Sequence, residues 1–338
     1  MRSPLWFLNP GKLFFMNPKD MQAIWLENHQ LSYRKSVPIP KPSDNEALIR
    51  VRLAGICATD LELLKGYYPY TGILGHEFVG EIVQAATAPE RIGERVVGEI
   101  NVACGTCETC LLGRKTHCER RTVLGILNRD GAFAEYLCLP LKNLISIPKS
   151  VPDKAAVFTE PLAAALEIQE QIIIRPTDKV LIIGAGRLGQ LIAQTLVLTG
   201  CQLQVVARHQ KQQQLLMTHQ IPWIEEHRVS KRAFDIVIEA TGSVGGFALA
   251  RQTVRPQGTI VLKSTYKEDM SINFSSLVVD EIRLIGSRCG PFAPALRLLE
   301  NRLVDPTVLI EKRFFLEQAL RAFEYAAQPG VLKVLLSY

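Results

Sequence analysis

A chain of 338 residues is too long for one ordinary hydrophobic core and suits two, at roughly 100 to 200 residues per domain. Hydrophobic residues at 47% and charged residues at 21% exclude wholesale disorder, and no apolar run reaches the roughly 18 residues that cross a bilayer, so no membrane association is expected. The 39 basic and 33 acidic residues leave +6, thinly spread apart from Arg120-Arg121 and 208–211, which excludes a stripe suited to a nucleic-acid backbone.

The first twenty residues carry Arg2 and an apolar run, but Asn9-Pro10-Gly11-Lys12 breaks it and no cleavage pattern follows. Residues 1–20 therefore read as a loosely attached extension rather than a signal peptide, folding is expected to begin at Met21, and the expected location is cytoplasmic. From Met21 to about Ser150, the runs 47–54, 78–84, 94–100, 133–139 and 144–147 are separated by Gly, Pro and Asp/Asn clusters and predict an irregular, strand-rich unit. The texture changes after Pro148. Apolar spacing predicts a helix over 153–173, and strands at 180–183, 203–207, 222–224, 234–239, 258–262 and 282–286 then alternate with helices at 187–199, 210–218 and 243–253. Such alternation implies crossover units and a parallel sheet covered on both faces. Helices near 294–303 and 316–327 and a strand at 331–336 complete the chain.

Eight cysteines occupy positions 57, 104, 107, 110, 118, 138, 201 and 289, four of them in the run Cys104-x2-Cys107-x2-Cys110-x7-Cys118. Four thiolates so closely spaced can converge on a tetrahedral Zn²⁺ at about 2.3 Å per bond, and a closed four-sulfur site is structural. The x2 gaps make poor disulfide loops. A zinc ribbon that grips DNA and an iron–sulfur site use similar spacings, but no basic recognition face accompanies this one.

Gly184-Ala185-Gly186-Arg187-Leu188-Gly189 is a G-x-G-x-x-G placed between an apolar strand and a helical pattern, the context in which that motif binds a dinucleotide. Gly184 allows the tight turn, Gly186 lets the backbone approach a pyrophosphate, and Gly189 permits close packing of helix on strand. An Asp or Glu ending the next strand would bind the ribose diol of NAD. None is present; the strand runs into Ala207-Arg208-His209-Gln210-Lys211, where Arg208 can bind a 2′-phosphate bidentately, so NADP(H) is expected in preference to NAD(H). The plainer alternative is a solvated helix start, with Ala207 admitting either cofactor.

A third set is split along the chain: Gly55-Ile56-Cys57-Ala58-Thr59-Asp60, Gly75-His76-Glu77 and Thr159-Glu160-Pro161-Leu162. Cys57, His76 and Glu160 offer S, N and O donors to one Zn²⁺ with a fourth position left for water or a substrate oxygen, as a catalytic site requires, and Glu77 is an alternate ligand.

In this order, those motifs resemble the zinc-dependent medium-chain dehydrogenase/reductase family, the alcohol, sorbitol and threonine dehydrogenase group, over about Met21 to Leu336. The resemblance implies an α/β protein: a GroES-like β-rich catalytic domain over 21–152 and 291–338, and a Rossmann doubly wound parallel-sheet cofactor domain over 153–290. It implies two Zn²⁺ per chain, catalytic at Cys57, His76 and Glu160 and structural at Cys104, Cys107, Cys110 and Cys118. Thr59 matches the hydroxyl that touches the reacting oxygen, Asp60 the carboxylate that holds His76, and Glu77 the glutamate beside the metal. Ala58 stands where some members place a phosphate-binding cation. Where many relatives carry a relay histidine this chain has Glu62, so the proton would leave through Glu62, Glu77 or water. Cofactor contacts are expected from Gly184, Gly186, Arg187, Leu188, Gly189, Ala207, Arg208, His209, Thr241 and Lys333. The implied reaction is zinc-assisted hydride transfer between the nicotinamide and a small alcohol or polyol, or the matching aldehyde or ketone.

Two alternatives compete with this reading. Zinc-free quinone or enoyl reductases lack the four-cysteine lobe and the Cys57/His76 pair, and a non-catalytic NADP-binding sensor of the same fold would not require Cys57, Thr59, His76 and Glu160 together. The substrate pocket, with Tyr67, Tyr68 and Tyr70 as candidate linings, is not fixed by these motifs. By resemblance the chain is expected to form a homodimer or homotetramer, with 258–262 or 282–286 as the edge strand that pairs.

Overall fold

The computed structural model describes residues 19–266 and 269–338, so nearly all of the expected N-terminal extension lies outside the described residues. Folding opens with a hairpin, Asp20–Glu27 against Gln30–Pro38. Its two turn residues, Asn28 and His29, both have positive φ (48° and 61°), the primed-turn geometry whose twist matches the flanking strands.

The β-rich part centres on the eleven-residue strand Glu46–Ile56. One sheet runs, in spatial order, Leu144–Ser146, Arg95–Gly98, Glu77–Ala85, Glu46–Ile56, Lys333–Ser337 and Ile310–Phe315, with Tyr136–Pro140 also paired to Glu46–Ile56. The last strand of the chain thus lies antiparallel to one near its beginning, Leu335 opposite Gly55. Inside, Ile24, Ile49, Ile56, Ile82 and Leu137 are buried in one cluster, and the Phe133 and Phe323 rings meet edge to face at 5.6 Å.

The second sheet is parallel throughout, in the order Trp223–Ile224, Gln202–Val206, Lys179–Ile183, Phe234–Glu239, Val254–Leu262 and Arg283–Gly286. In chain order this is 3-2-1-4-5-6, the doubly wound arrangement, whose ligand crevice opens at the strands' carboxyl ends where the order reverses. The unbroken apolar run Val180-Leu181-Ile182-Ile183 fits burial on both faces. Val180 and Ile182 meet the helices Thr159–Gln171, Arg187–Val197 and Phe292–Glu300, while Leu181 and Ile183 meet Val244–Thr253.

The expected β-rich unit and doubly wound sheet are both present, with local differences. The helix expected over 153–173 is two, Asp153–Ala156 and Thr159–Gln171. Pro161 has no N–H for a carbonyl one turn back, so it fits only the first turn of a helix restarting at Thr159. Several elements lie outside the predicted runs, among them the hairpin strand Gln30–Pro38, the helices Ala58–Leu64 and Phe274–Val279 and the strand Ile310–Phe315. Among the described residues, no helix is long and apolar enough to cross a membrane.

Candidate active site and cofactor cradle

Strand register assembles the first cluster. Gly55 pairs with Glu77 between Glu46–Ile56 and Glu77–Ala85, so Cys57, just past one strand, comes beside His76, just before the other. Ligand atoms of Cys57, His76 and Glu77 lie within 4.8 Å of one another, and Glu77 Oε1 is buried without a hydrogen-bond partner. A sulfur, an imidazole and a carboxylate so close together, with one carboxylate oxygen unsatisfied, fit a zinc ion. Burial alone would lower the proton affinity of His76, but Asp60 and Cys57 raise it well above the ordinary imidazole range.

Cys57 precedes Ala58–Leu64, and Asp60 in that helix's first turn accepts the Cys57 N–H at 2.7 Å. The other carboxylate oxygen of Asp60 lies 3.2 Å from His76 Nδ1, off line for a hydrogen bond, and both residues are buried. Thr59 Oγ1 is 3.8 Å from Cys57 Sγ. Glu62, one turn further along, pairs with Lys65 at 3.2 Å.

Glu160 opens the helix Thr159–Gln171, and its oxygens are not among those gathered within 4.8 Å. It faces the same charges: burial pushes its carboxyl up to about 7, against the pull of His76 and with the push of Glu77. Lys333, expected at the cofactor phosphates, turns inward instead. It is 2% exposed, with its ammonium on Glu77 Oε2 and over the Phe158 ring. Gly55 makes the space, since a Cβ there would collide with that same Glu77 oxygen. Tyr70 is also taken up by the fold, its buried hydroxyl lying 2.8 Å from the Ile73 carbonyl and 3.0 Å from that of Arg129, whereas Tyr67 and Tyr68 are exposed.

The glycine loop follows Lys179–Ile183 at the reversal of strand order. Gly184 has φ +107°, Gly186 has open space where a Cβ would stand, and a Cβ on Gly189 would strike the Gly184 carbonyl oxygen. A left-handed turn, an open backbone face and a close helix approach are what a pyrophosphate cradle needs, and Arg187 Nη1 is buried there without a partner. Leu188 is half-buried on the same first turn. Ala207 is buried; Arg208 and His209 are exposed.

Two residues that sequence reasoning passed over belong to this crevice. Glu239, fully buried at a strand end level with Ile183, accepts from Thr241 N at 2.7 Å, Gly242 N at 3.2 Å and the Tyr266 hydroxyl at 2.5 Å, fixing the Thr241-Gly242 turn. Lys263 is buried past Val254–Leu262, on Ser287 Oγ at 2.9 Å and the Arg288 carbonyl at 2.8 Å. Their signal in sequence is a charged residue closing an apolar strand.

In the four-cysteine lobe the Sγ atoms of Cys104 and Cys110 are 3.9 Å apart, Cys107 and Cys118 3.7 Å, and Cys104 and Cys118 3.5 Å. The edge of a tetrahedron with bonds of about 2.3 Å is about 3.8 Å, so the spacing fits a central zinc and is far too long for disulfides. Backbone amides of Thr106 and Cys107 pull the Cys104 thiol down to about 5, toward the thiolate a metal binds.

The alcohol dehydrogenase GroES-like domain family matches residues 43–149, and the shikimate / quinate 5-dehydrogenase family matches residues 167–256. An L-threonine 3-dehydrogenase of Chelativorans sp. (strain BNC1) is 31% identical over 79% of this chain and 81% of its own. A putative zinc-binding dehydrogenase of Sinorhizobium meliloti 1021 bound to NADP superposes with a TM-score of 0.86 at 28% identity, over 94% of this chain and 99% of its own. A short chain alcohol dehydrogenase of E. coli CFT073 complexed with NADH gives the same TM-score and coverages at 29% identity. With its GroES-like half, its Rossmann-type half and these relatives, the chain belongs to the zinc-type medium-chain dehydrogenase family.

Proposed function

We propose that this oxidoreductase moves a hydride between NADP(H) and a small alcohol or polyol, or the corresponding aldehyde or ketone, at a catalytic zinc, and carries a second, structural zinc. The observation that carries the reading is the convergence of Cys57, His76 and Glu77 on one point, with a buried carboxylate oxygen of Glu77 left unsatisfied. Cys57 and His76 would hold the catalytic ion with Glu160 or the nearer Glu77, and Cys104, Cys107, Cys110 and Cys118 the structural one. When bound, zinc supplies Lewis acidity toward the substrate oxygen and the nicotinamide supplies or receives the hydride.

The chain's own residues do the rest. Asp60 orients His76 and caps the helix that carries Thr59. Thr59 takes the substrate hydroxyl proton and Glu62, one turn on, is its outer station. Gly184, Gly186, Arg187, Leu188 and Gly189 cradle the pyrophosphate, Thr241 flanks the nicotinamide ribose, and Arg208 with His209, beside the small Ala207, takes the 2′-phosphate. Lys333 serves by fixing Glu77. A relative bound to NADP and another complexed with NADH fit a cradle that accepts both nucleotides, and Arg208 tips the choice.

The test is elemental analysis of protein purified without chelators, with NADPH and NADH titrated by fluorescence on the same preparation and a screen of alcohols and polyols to follow. Two zincs per chain, tighter NADPH and turnover of an alcohol are expected. One zinc, lost only on unfolding, would remove the catalytic metal, and tighter NADH would remove Arg208 from its role.

A further inference from the structure

Arg208 is not open to solvent on all sides. Its Nε donates to Glu226 Oε2 at 2.8 Å, and Nη2 lies 2.6 Å from the same oxygen. Glu226 begins the turn Glu226–Arg228, two residues past the strand Trp223–Ile224, which runs parallel to Gln202–Val206 as its neighbour. The Ala207 N–H donates to the Ile224 carbonyl at 3.2 Å, so both strand ends are held level and Glu226 is delivered beside Arg208. The acidic residue missing at the end of the second strand arrives from the end of the third. The other cation of the segment, Lys211, is held elsewhere, 2.6 Å from Glu311.

We propose that Glu226 tempers the cofactor preference of this site, as a counter-ion that Arg208 exchanges for a 2′-phosphate and keeps when the ribose carries a 2′-hydroxyl. The inference rests on the reading of Arg208 as the 2′-phosphate ligand. Both side chains are well exposed, 61% and 42%, so the pair is solvent-screened and exchangeable rather than locked. Glu226 opposes the 2′-phosphate twice, by occupying the guanidinium and by repelling a second anion at close range. For a 2′-hydroxyl neither penalty applies, and the neutral pair is a tolerable neighbour. The carboxylate therefore narrows the margin between NADP(H) and NAD(H). An exposed ion pair shifts an equilibrium by about five-fold or less, and repulsion adds to that at low salt.

The experiment is calorimetric binding of adenosine 2′,5′-bisphosphate and adenosine 5′-monophosphate to the wild-type holoprotein, E226Q and R208Q, with NADPH and NADH titrated alongside. The expected result is that E226Q binds the bisphosphate about five-fold tighter at low salt, leaves the monophosphate within about two-fold, and loses its advantage as salt rises. R208Q weakens the bisphosphate alone. If E226Q leaves the ratio of the two affinities unchanged while R208Q lowers it, the role of Glu226 is overturned and the NADP reading stands. If R208Q leaves the ratio unchanged, the NADP reading fails and takes the role of Glu226 with it.

Discussion

Asp60 serves two structures at once. One carboxylate oxygen accepts the N–H of Cys57 at 2.7 Å, and the other lies 3.2 Å from Nδ1 of His76, so one side chain holds the helix start and places its negative charge beside the imidazole. Asp60→Asn keeps an acceptor for one duty and replaces the other with an amide that cannot support a ligating imidazole electrostatically. The catalytic zinc is expected to bind about 10- to 100-fold more weakly in D60N, read by competition with a chelator, while the structural zinc stays. Asp60→Ala loses the cap as well and is expected to cost about 1 kcal/mol more, read by denaturant unfolding. Cys57, His76 and Asp60 are legible in sequence because they sit in two short motifs, Cys57 with Asp60 in one and His76 in the other. The burial of Lys333 against Glu77 is not, because it follows from the register of the last strand, which Leu335 opposite Gly55 fixes across most of the chain.

The four-cysteine lobe is an element held by its side chains. Around the sulfurs the local structure is a four-residue helix, Glu108–Leu111, a single turn at Lys115–His117 and a two-stranded ribbon, Asn101–Val102 with Thr122–Val123. Cys110 and Cys118 are buried, with Ala103 beside them. So small a core does little to order a loop unaided, and on the proposed reading a zinc held by the four sulfurs supplies the balance. Cys110→Ser is expected to release one zinc per chain by elemental analysis and to expose the lobe to limited proteolysis near 104–118, with the Cys57 site still loaded. Cobalt exchanged into the wild-type lobe is expected to show the absorption of tetrahedral thiolate coordination, lost in C110S. The lobe is readable in sequence because its information is local spacing. The breaks elsewhere show what spacing omits: the turn Asn28-His29 lacks the glycine that usually marks a hairpin, and Ile310–Phe315 becomes a strand only by pairing with Lys333–Ser337. Pro161, by contrast, carried the helix break within the sequence itself.

At the scale of the whole molecule, one edge is conspicuous. The parallel sheet ends on Arg283–Gly286, and among the described residues no strand pairs with its outer side. Beside it the helix Phe274–Val279 exposes Phe274, Val278 and Val279 at 65%, 74% and 80%, and Leu284 on the strand itself is 39% exposed. Folded monomers ordinarily blunt such an edge with charge or proline, and an apolar patch next to unpaired backbone marks a contact. We therefore expect a homodimer in which this strand meets its own copy across a two-fold axis, since a self-complementary antiparallel pairing satisfies both edges at once and closes. Of the two strands expected as candidates, 258–262 is excluded by its place, because Val254–Leu262 is already flanked by Phe234–Glu239 and Arg283–Gly286. Leu284→Lys together with Val279→Glu puts charge into the contact at little cost to the fold, within about 1 kcal/mol, because both positions are exposed. Sedimentation is expected to show a dimer for the wild type and, for the double variant, association weakened toward monomer, with Kd raised by about 100-fold or more and zinc content unchanged. A dimer that survives both charges would move the interface elsewhere, and the exposed Phe274–Val279 face would then need a different partner to account for it.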